Sequence, residues 1–317
     1  MKRSEVSTKS AGIDVSKATL DVALADRDEQ LKIGNVAAQF ADLAEWLRSQ
    51  SVGRVGLEAS GGYERAVAEA LRAAGFEVVV HQPAEVRAFA KFKRIRAKND
   101  PLDAKVIALA TTQVEAVRAA NDPRLVELAE WFTAYEQAAN RLAQMKTCLE
   151  HVTLPELKEA LLAQLRQAQL WKAELLRKIV QRIRAWPDLA HRYALLQSLP
   201  GCGPVVAASL LIRMPELGAL PRGRAASLIG VAPWDRDTGQ SKGQRHIAGG
   251  RGRPRRMLYI AGLAASRFDQ ALAAFAQRLR AAGKPPKVVI TAIMRKLVEA
   301  ANLILARGTP WVSNTTA

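Results

Sequence analysis

The sequence has few cysteines and histidines and no long apolar stretch. Cys148 and Cys202 are far apart, and the four histidines show no metal-ligand spacing, so we expect neither a disulfide scaffold nor a zinc site. The longest apolar run, around Val205 to Ile212, is far below the roughly 18–20 residues that cross a bilayer. Met1 to Ser4 lead into polar residues rather than a signal core. We expect a cytoplasmic protein with no membrane partner.

Acidic residues are outnumbered. The 317 residues include 47 Lys and Arg against 30 Asp and Glu, which gives a net charge of +17, with 49% hydrophobic residues. This composition is typical of a globular protein. The charge raises the local concentration of polyanions such as nucleic acid or acidic lipid. At roughly 100–200 residues per domain, the length favours two domains.

The first third predicts an α/β fold, a mixed sheet with helices on its faces. Predicted strands are Gly12–Val15, Thr19–Leu24, Leu31–Val36, Arg54–Glu58 and Phe76–Val80, with helices Phe40–Arg48, Tyr63–Ala74 and Pro101–Gln113. The middle third carries two helical apolar stripes, from Leu125 to Leu149 and from Leu157 to Trp186, around a break at Pro155. They predict a helical hairpin or coiled-coil arm, which either packs only on itself or dimerises. The last third predicts mainly helix, with segments 221–229, 255–268, 270–281 and 287–307.

Four acids are the strongest candidates for catalysis. Asp14 and Glu58 lie at the ends of two apolar strands. Asp100 and Asp103 lie at the start of a predicted helix, and their spacing of three places them on the same face of it. If they converge, they need divalent cations in order to stay ionised together, and paired Mg²⁺ ions serve phosphoryl transfer. Helix capping is the alternative role for Glu58, Asp100 and Asp103. A purely structural role is harder to assign to Asp14, because burying a carboxylate at a strand end without a partner is costly.

Two basic clusters predict contact with nucleic acid, although a solvated helix face is the alternative for the first. The first contains Arg87, Lys91, Lys93, Arg94, Arg96, Lys98 and Lys105, with Phe89 and Phe92 between them. The second contains Arg222, Arg224, Arg236, Lys242, Arg245, Arg251, Arg253, Arg255 and Arg256, in and around a glycine-rich loop from about Gly230 to Pro254. Within it, Thr238 and Ser241 offer hydroxyl nucleophiles, or are ordinary turn hydroxyls. The turn Pro200–Gly203 is similar to a helix-hairpin-helix element.

The order of these pieces resembles the DEDD transposases of the insertion-sequence one-ten family, related to the Piv DNA invertases, across nearly the whole chain. The motifs that carry the resemblance are Gly12-Ile13-Asp14-Val15-Ser16-Lys17, Leu57-Glu58-Ala59-Ser60-Gly61-Gly62-Tyr63, Lys98-Asn99-Asp100-Pro101-Leu102-Asp103-Ala104, Leu199-Pro200-Gly201-Cys202-Gly203, Gly230-Val231-Ala232-Pro233 and Arg236-Asp237-Thr238-Gly239.

The resemblance implies an RNase H-like (RuvC-like) catalytic domain over residues 1–120, a coiled-coil arm over 121–190 and a C-terminal transposase domain over 191–317. It implies that Asp14, Glu58, Asp100 and Asp103 are the four acids that hold Mg²⁺. It also implies a serine nucleophile that links covalently to DNA, and a structured bridge RNA that pairs with donor and target DNA. The serine position is Thr238 here, a stiffer secondary alcohol, so Thr238 is the first candidate and Ser241 the second.

The sequence therefore predicts a transposase that recombines donor and target DNA. Its basic candidates for nucleic-acid binding are Lys91, Lys93, Arg94, Arg96, Lys98, Arg236, Lys242, Arg245, Arg251, Arg253, Arg255 and Arg256. A composite site between subunits predicts a dimer or tetramer. The alternative is a metal-dependent junction or structure-selective nuclease without a covalent intermediate. A third hypothesis is a non-catalytic basic protein that packages RNA or DNA.

Overall fold

The computed structural model describes residues 9–95, 100–115, 122–235, 243 and 245–312, except for the side chains of residues 100 and 101. The chain divides into two compact units, Met1–Ala120 and Asn121–Ala317. The N-terminal unit contains strands β1 (Lys9–Val15), β2 (Thr19–Leu24), β3 (Gln30–Gly34), β4 (Val52–Glu58) and β5 (Glu77–His81), and helices α1 (Phe40–Ser49), α2 (Arg65–Ala73), α3 (Pro83–Phe92) and α4 (Asp100–Thr111).

The five strands form one mixed sheet in the order β3-β2-β1-β4-β5. The first three are consecutive antiparallel strands, and β4 and β5 run parallel to β1. The turn between β1 and β2 is short because the Ser16 hydroxyl accepts hydrogen bonds from the amides of Ala18 and Thr19. Helix α1 then carries the chain back to place β4 beside β1. The predicted mixed sheet with helices is confirmed.

Helix α4 lies very close to the sheet because two strands present glycine to it. A Cβ atom at Gly12 would overlap the carbonyl oxygen of Ala104 and the amide nitrogen of Ala108. A Cβ atom at Gly56, the partner of Gly12 across β1 and β4, would overlap the Thr111 hydroxyl. Any larger residue would push the helix outward. These glycines therefore set the height of α4 above the sheet.

The C-terminal unit is mainly helical. It contains α5 (Pro123–Glu150), α6 (Pro155–Ala185), α7 (Pro187–Gln197), α8 (Pro204–Arg213), α9 (Arg224–Ile229), α10 (Gly252–Phe268), α11 (Gln270–Ala281) and α12 (Pro286–Arg307), with a small antiparallel hairpin of β6 (Pro233–Trp234) and β7 (His246–Ile247). Five of these helices begin at proline, whose fixed φ and missing N–H suit the first helical position.

Helices α5 and α6 share a core with the helices that follow them. Phe132, Ile179 and Ile183 are fully buried in one cluster with residues from α7 to α12. The beginning of α6 is different, because Leu157 and Trp171 are about half exposed. The apolar stripes that predicted these helices therefore serve the common core at one end only. The coiled-coil arm and the three-part division at residues 120 and 190 stay predictions.

Several local features were not predicted from the sequence or were placed differently. Helix α3 occupies part of the first basic cluster, where Gln82 and Glu85 form a capping box around Pro83. The helix predicted over 221–229 begins only at Arg224, after Gly223 in a left-handed conformation. The hairpin of β6 and β7 lies in a segment interpreted as loop. In the described ranges, no helix is both long and apolar enough to span a membrane.

Replacing Gly12 by alanine should destabilise the N-terminal unit by about 1–3 kcal/mol, because the new methyl group forces α4 away from β1. Urea unfolding followed by circular dichroism measures the change. Gly252→Ala is the control, because a Cβ at Gly252 meets no atom within 4 Å. Equal stability of Gly12→Ala and the wild type would contradict this packing.

Candidate active site and nucleic-acid-binding surfaces

Asp14 and Glu58 lie at the carboxyl ends of two neighbouring parallel strands. Since Gly12 pairs with Gly56 across β1 and β4, the two acids, each two residues further on, lie at the same edge of the sheet. Side chains alternate between the faces of a strand. Both acids are therefore on the face that Gly12 and Gly56 leave open for α4. The structure brings these two half-buried carboxylates to one edge and one face.

The other two predicted acids lie at the beginning of α4. Asp103 is half-buried and directly precedes Ala104, the residue whose carbonyl oxygen packs on Gly12. Asp100 lies in the first turn, and its side chain is outside the described residues. Within the described part of the chain, no three Asp, Glu, His or Cys residues form a group that could hold a metal ion. Asp14, Glu58 and Asp103 all have interactions with other groups.

Sequence reasoning missed a fifth acid beside this edge. Asp21 pairs directly with Asp14 across β1 and β2, which places both side chains on the same face. Asp21 is only 7% exposed, and the Lys32 ammonium lies 3.0 Å from its carboxylate. This ion pair compensates the burial of Asp21. The available signal was an acid in the middle of the otherwise apolar strand Thr19–Leu24.

A buried histidine lies on the other side of Glu58. His81 pairs with Glu58 across β4 and β5, and its Nε2 is 2.9 Å from the Thr111 hydroxyl of α4. Since that hydroxyl donates its hydrogen to the Ile107 carbonyl, it accepts a hydrogen bond from the protonated Nε2 of His81. Burial lowers the pKa of His81, while the Glu85 carboxylate opposes the shift. A neutral His81 therefore adds no positive charge beside Glu58 at neutral pH.

The end of α3 presents the described part of the first basic cluster. Lys91, Lys93 and Arg94 are exposed, and the Lys93 ammonium lies 5.8 Å from the centre of the Phe89 ring. Phe92 is 78% exposed, which is unusual for a phenylalanine and offers a surface for stacking. The two other predicted members, Arg96 and Lys98, lie outside the described residues.

Arginines of the second cluster divide into two kinds. Arg251 binds the Glu216 carboxylate through both guanidinium ends, at 2.5 and 2.7 Å, and donates to the Arg213 carbonyl. Arg253 is more exposed and approaches Glu136 at 3.3 Å. Arg256 is exposed, and Arg245 pairs with Asp235 on the surface. Arg251 therefore already has a structural role.

Arg255 closes the base of the glycine-rich loop. Its guanidinium donates to the carbonyls of Gly230 and Gly249, at 3.0 and 2.7 Å. A Cβ atom at Gly250 would overlap the Gly230 backbone, and both glycines have positive φ. The two ends of the loop therefore meet backbone to backbone. Arg236, Thr238, Ser241 and Lys242 lie between them, outside the described residues.

The turn between α7 and α8 is packed into the core on one side. Gly201 has a φ of 73°, and a Cβ atom there would overlap the Ala261 carbonyl of α10. Burial raises the pKa of the neighbouring Cys202 thiol to about 12, so this cysteine stays protonated at neutral pH. A Cβ at Gly203 meets no atom within 4 Å. The predicted helix-hairpin-helix element therefore has free space beside Gly203.

Two protein-family models match the chain, one in its first half and one in its second half. A model described as a transposase, of the DEDD type found in IS110 elements, matches residues 11–157. A second model, described as the transposase IS116/IS110/IS902 family, matches residues 193–277. The first match contains all four predicted acids, and the second contains Thr238 and Ser241.

Curated relatives match over nearly the full chain. The pilin gene-inverting protein of Moraxella bovis is 25% identical over 312 residues, covering 95% of this chain and 96% of the relative. That of Moraxella lacunata is 24% identical with the same coverage. Among solved structures, T. thermophilus RuvC in complex with a Holliday junction substrate is 18% identical, with a TM-score of 0.28, covering 32% of this chain and 91% of that one.

The two kinds of arginine should respond differently to substitution. Arg251→Gln should lower stability by about 1–2 kcal/mol, because it removes a charge-assisted pair with the partly exposed Glu216. Arg256→Gln, the matched control, removes the same charge from an exposed position and should leave the melting temperature unchanged. Thermal melts by circular dichroism give the comparison. Equal melting temperatures for the two variants would refute a structural role for Arg251.

Proposed function

Since the chain belongs to the IS110 family of transposases and is a DNA-recombining enzyme, we propose that it cuts and rejoins DNA at the edge of the sheet that carries Asp14 and Glu58. The observation that supports this location is the shared edge and face of these two acids, under the helix that begins with Asp100 and Asp103. Ligands of open α/β sheets bind outside the carboxyl ends of parallel strands.

An RNase H-like (RuvC-like) fold for the N-terminal unit is part of the proposal. Its support is the strand order β3-β2-β1-β4-β5, with three antiparallel strands followed by two parallel ones. The relatives are named for inverting a pilin gene, which is a recombination of DNA. The alternative function is that of a metal-dependent junction or structure-selective nuclease without a covalent intermediate.

Asp14, Glu58, Asp100 and Asp103 would hold divalent metal, which the match to a DEDD transposase model indicates in general and which we propose to be Mg²⁺. Carboxylate oxygens are the ligands that Mg²⁺ prefers, so the donor set fits. When bound, such ions activate an attacking oxygen and stabilise a leaving one. Neutral His81 and the pairing of Asp21 with Lys32 leave the negative charge of this edge largely to the four acids.

The C-terminal unit would supply the attacking hydroxyl, from Thr238 first or from Ser241. The closed base of the glycine-rich loop supports this assignment, because Arg255 fixes where the segment carrying both hydroxyls leaves and rejoins the fold. Exposed cations at Lys91, Lys93, Arg94 and Arg256 would hold nucleic acid. We further propose a structured guide RNA, donor and target DNA, and a dimer or tetramer in which hydroxyl and acids come from different subunits.

Asp14→Asn should reduce Mg²⁺-dependent cleavage of plasmid DNA that carries the donor or target site by at least about 10³-fold. The reason is that it removes a charged ligand that stabilises the transition state. DNA affinity should change less than about twofold. Asp42→Asn, an equal charge change on the exposed face of α1, should cleave like the wild type. Full activity of Asp14→Asn would rule out metal catalysis at this edge.

A covalent link between protein and DNA should form during cleavage and resist denaturation in detergent gels. Thr238→Ala should abolish this adduct while Ser241→Ala retains it, because Thr238 occupies the position of the nucleophile. Loss in Ser241→Ala alone would assign Ser241 instead. Cleavage without any adduct in the wild type would favour the hydrolytic nuclease.

A further inference from the structure

A third basic surface lies on α11 and α12, outside both clusters that the sequence motifs single out. Between Asp269 and Glu299 the chain has six Lys or Arg residues and no Asp or Glu. The six are all exposed, and together they define the α11–α12 basic surface: Arg278, Arg280, Lys284, Lys287, Arg295 and Lys296. The two flanking acids are engaged elsewhere, because Asp269 caps α11 and Glu299 accepts from the amides of Gly223 and Ala226.

Two of these cations share one aromatic ring. The Lys296 ammonium lies 4.6 Å from the centre of the Phe275 ring, and the Arg278 guanidinium lies 5.3 Å from it. The two charges are therefore separated by no more than about the 10 Å over which charges interact in 0.1 M salt. Among the described residues, neither makes an ion pair with an acid. Like charges held this close favour an anion between or beside them.

The C-terminal unit contains a second aromatic ring with two cations beside it, but those cations are paired with acids. Trp131 carries the Arg182 guanidinium at 4.1 Å and the Lys178 ammonium at 5.8 Å. There, however, Arg182 pairs with Glu127 and Lys178 with Glu174. The Trp131 cations are thus neutralised within the chain. The Phe275 cations lie at comparable distances from their ring but have no acid partner among the described residues, so an external anion would neutralise them.

The connection between the two helices keeps this surface in place. After α11 ends, the Lys284 amide donates to the Leu279 carbonyl, with Gly283 at a φ of 71°. Pro285 then precedes α12, which itself begins at Pro286. The opposite sides of the helices are buried in the core, at Leu272 on α11 and at Val289 on α12. The cations are therefore displayed on a preformed surface rather than on a flexible tail.

We infer that the α11–α12 basic surface binds the phosphate backbone of duplex DNA. The inference rests on the proposal that this chain recombines DNA. Exposed Lys and Arg side chains bind backbone phosphates, and these contacts contribute affinity that does not depend on the DNA sequence. Single strands instead need aromatic faces for stacking, and here the Phe275 ring is already occupied by two cations. The surface would add backbone contacts from the C-terminal unit to those proposed for α3.

The test is the salt dependence of DNA binding by the full-length protein. The double variant Arg278→Gln with Lys296→Gln should lower the magnitude of the slope of log K against log salt by about 2, since two phosphate contacts are lost. The matched control is Lys178→Gln with Arg182→Gln, which removes the same two residue types from an aromatic ring where acids neutralise them. The control should keep the wild-type slope. Melting temperatures verify that each variant is folded.

The outcomes separate this inference from the proposed function. If the wild type binds and cleaves DNA but the Arg278→Gln, Lys296→Gln double variant keeps the wild-type salt slope, this surface does not bind DNA. The inference then fails while the proposed function stands. If the slope changes only with an RNA duplex of equal length, the surface binds RNA and the inference also fails. If the wild type neither binds nor cleaves DNA with Mg²⁺, the proposed function itself fails.

Discussion

The close contact between α4 and the sheet is the constraint on which the candidate site depends. Gly12 and Gly56 let the backbone of α4 approach the strands. Asp14 and Glu58, two residues further along each strand, therefore lie on the face that α4 covers. A helix held farther out would move Asp103 away from the sheet edge. Because packing at this contact leaves no room for a methyl group, the distance is fixed by sterics rather than by attraction between charges. Such a contact would suit the proposed site, because its carboxylates would repel one another.

Positive charge serves two purposes in this chain. Arg251 and Arg255 are committed to a carboxylate and to backbone carbonyls, and they hold the glycine-rich segment to the helices. The cations on α3 and on the α11–α12 basic surface lie at exposed positions. The count of 47 Lys and Arg residues therefore overstates the cations that are available to a polyanion. The division follows from exposure, because a partly buried guanidinium needs fixed acceptors whereas an exposed one is satisfied by water.

Sequence reasoning predicted the mixed sheet and most helices because period and turn chemistry are local signals. It also placed Asp14 and Glu58 at strand ends, which the structure brings to one edge. It missed helix α3, whose basic composition suggested a phosphate-tracking segment while a capping box determined its conformation. It also missed Asp21, since neutralisation by Lys32 depends on strand pairing. The split among the arginines was equally hidden, because Arg251 meets Glu216 across 35 residues of chain.

The joined ends of the glycine-rich loop have an evolutionary consequence. Since Gly230 meets Gly250 and Arg255 bonds both sides, the intervening residues are tethered at a single neck. Length changes beyond such a neck cost little free energy, because closure entropy grows only slowly with loop size. The helical scaffold can thus be inherited unchanged while the tip diversifies. Insertions or deletions between Gly230 and Gly250 would therefore need no compensating change in the helical core.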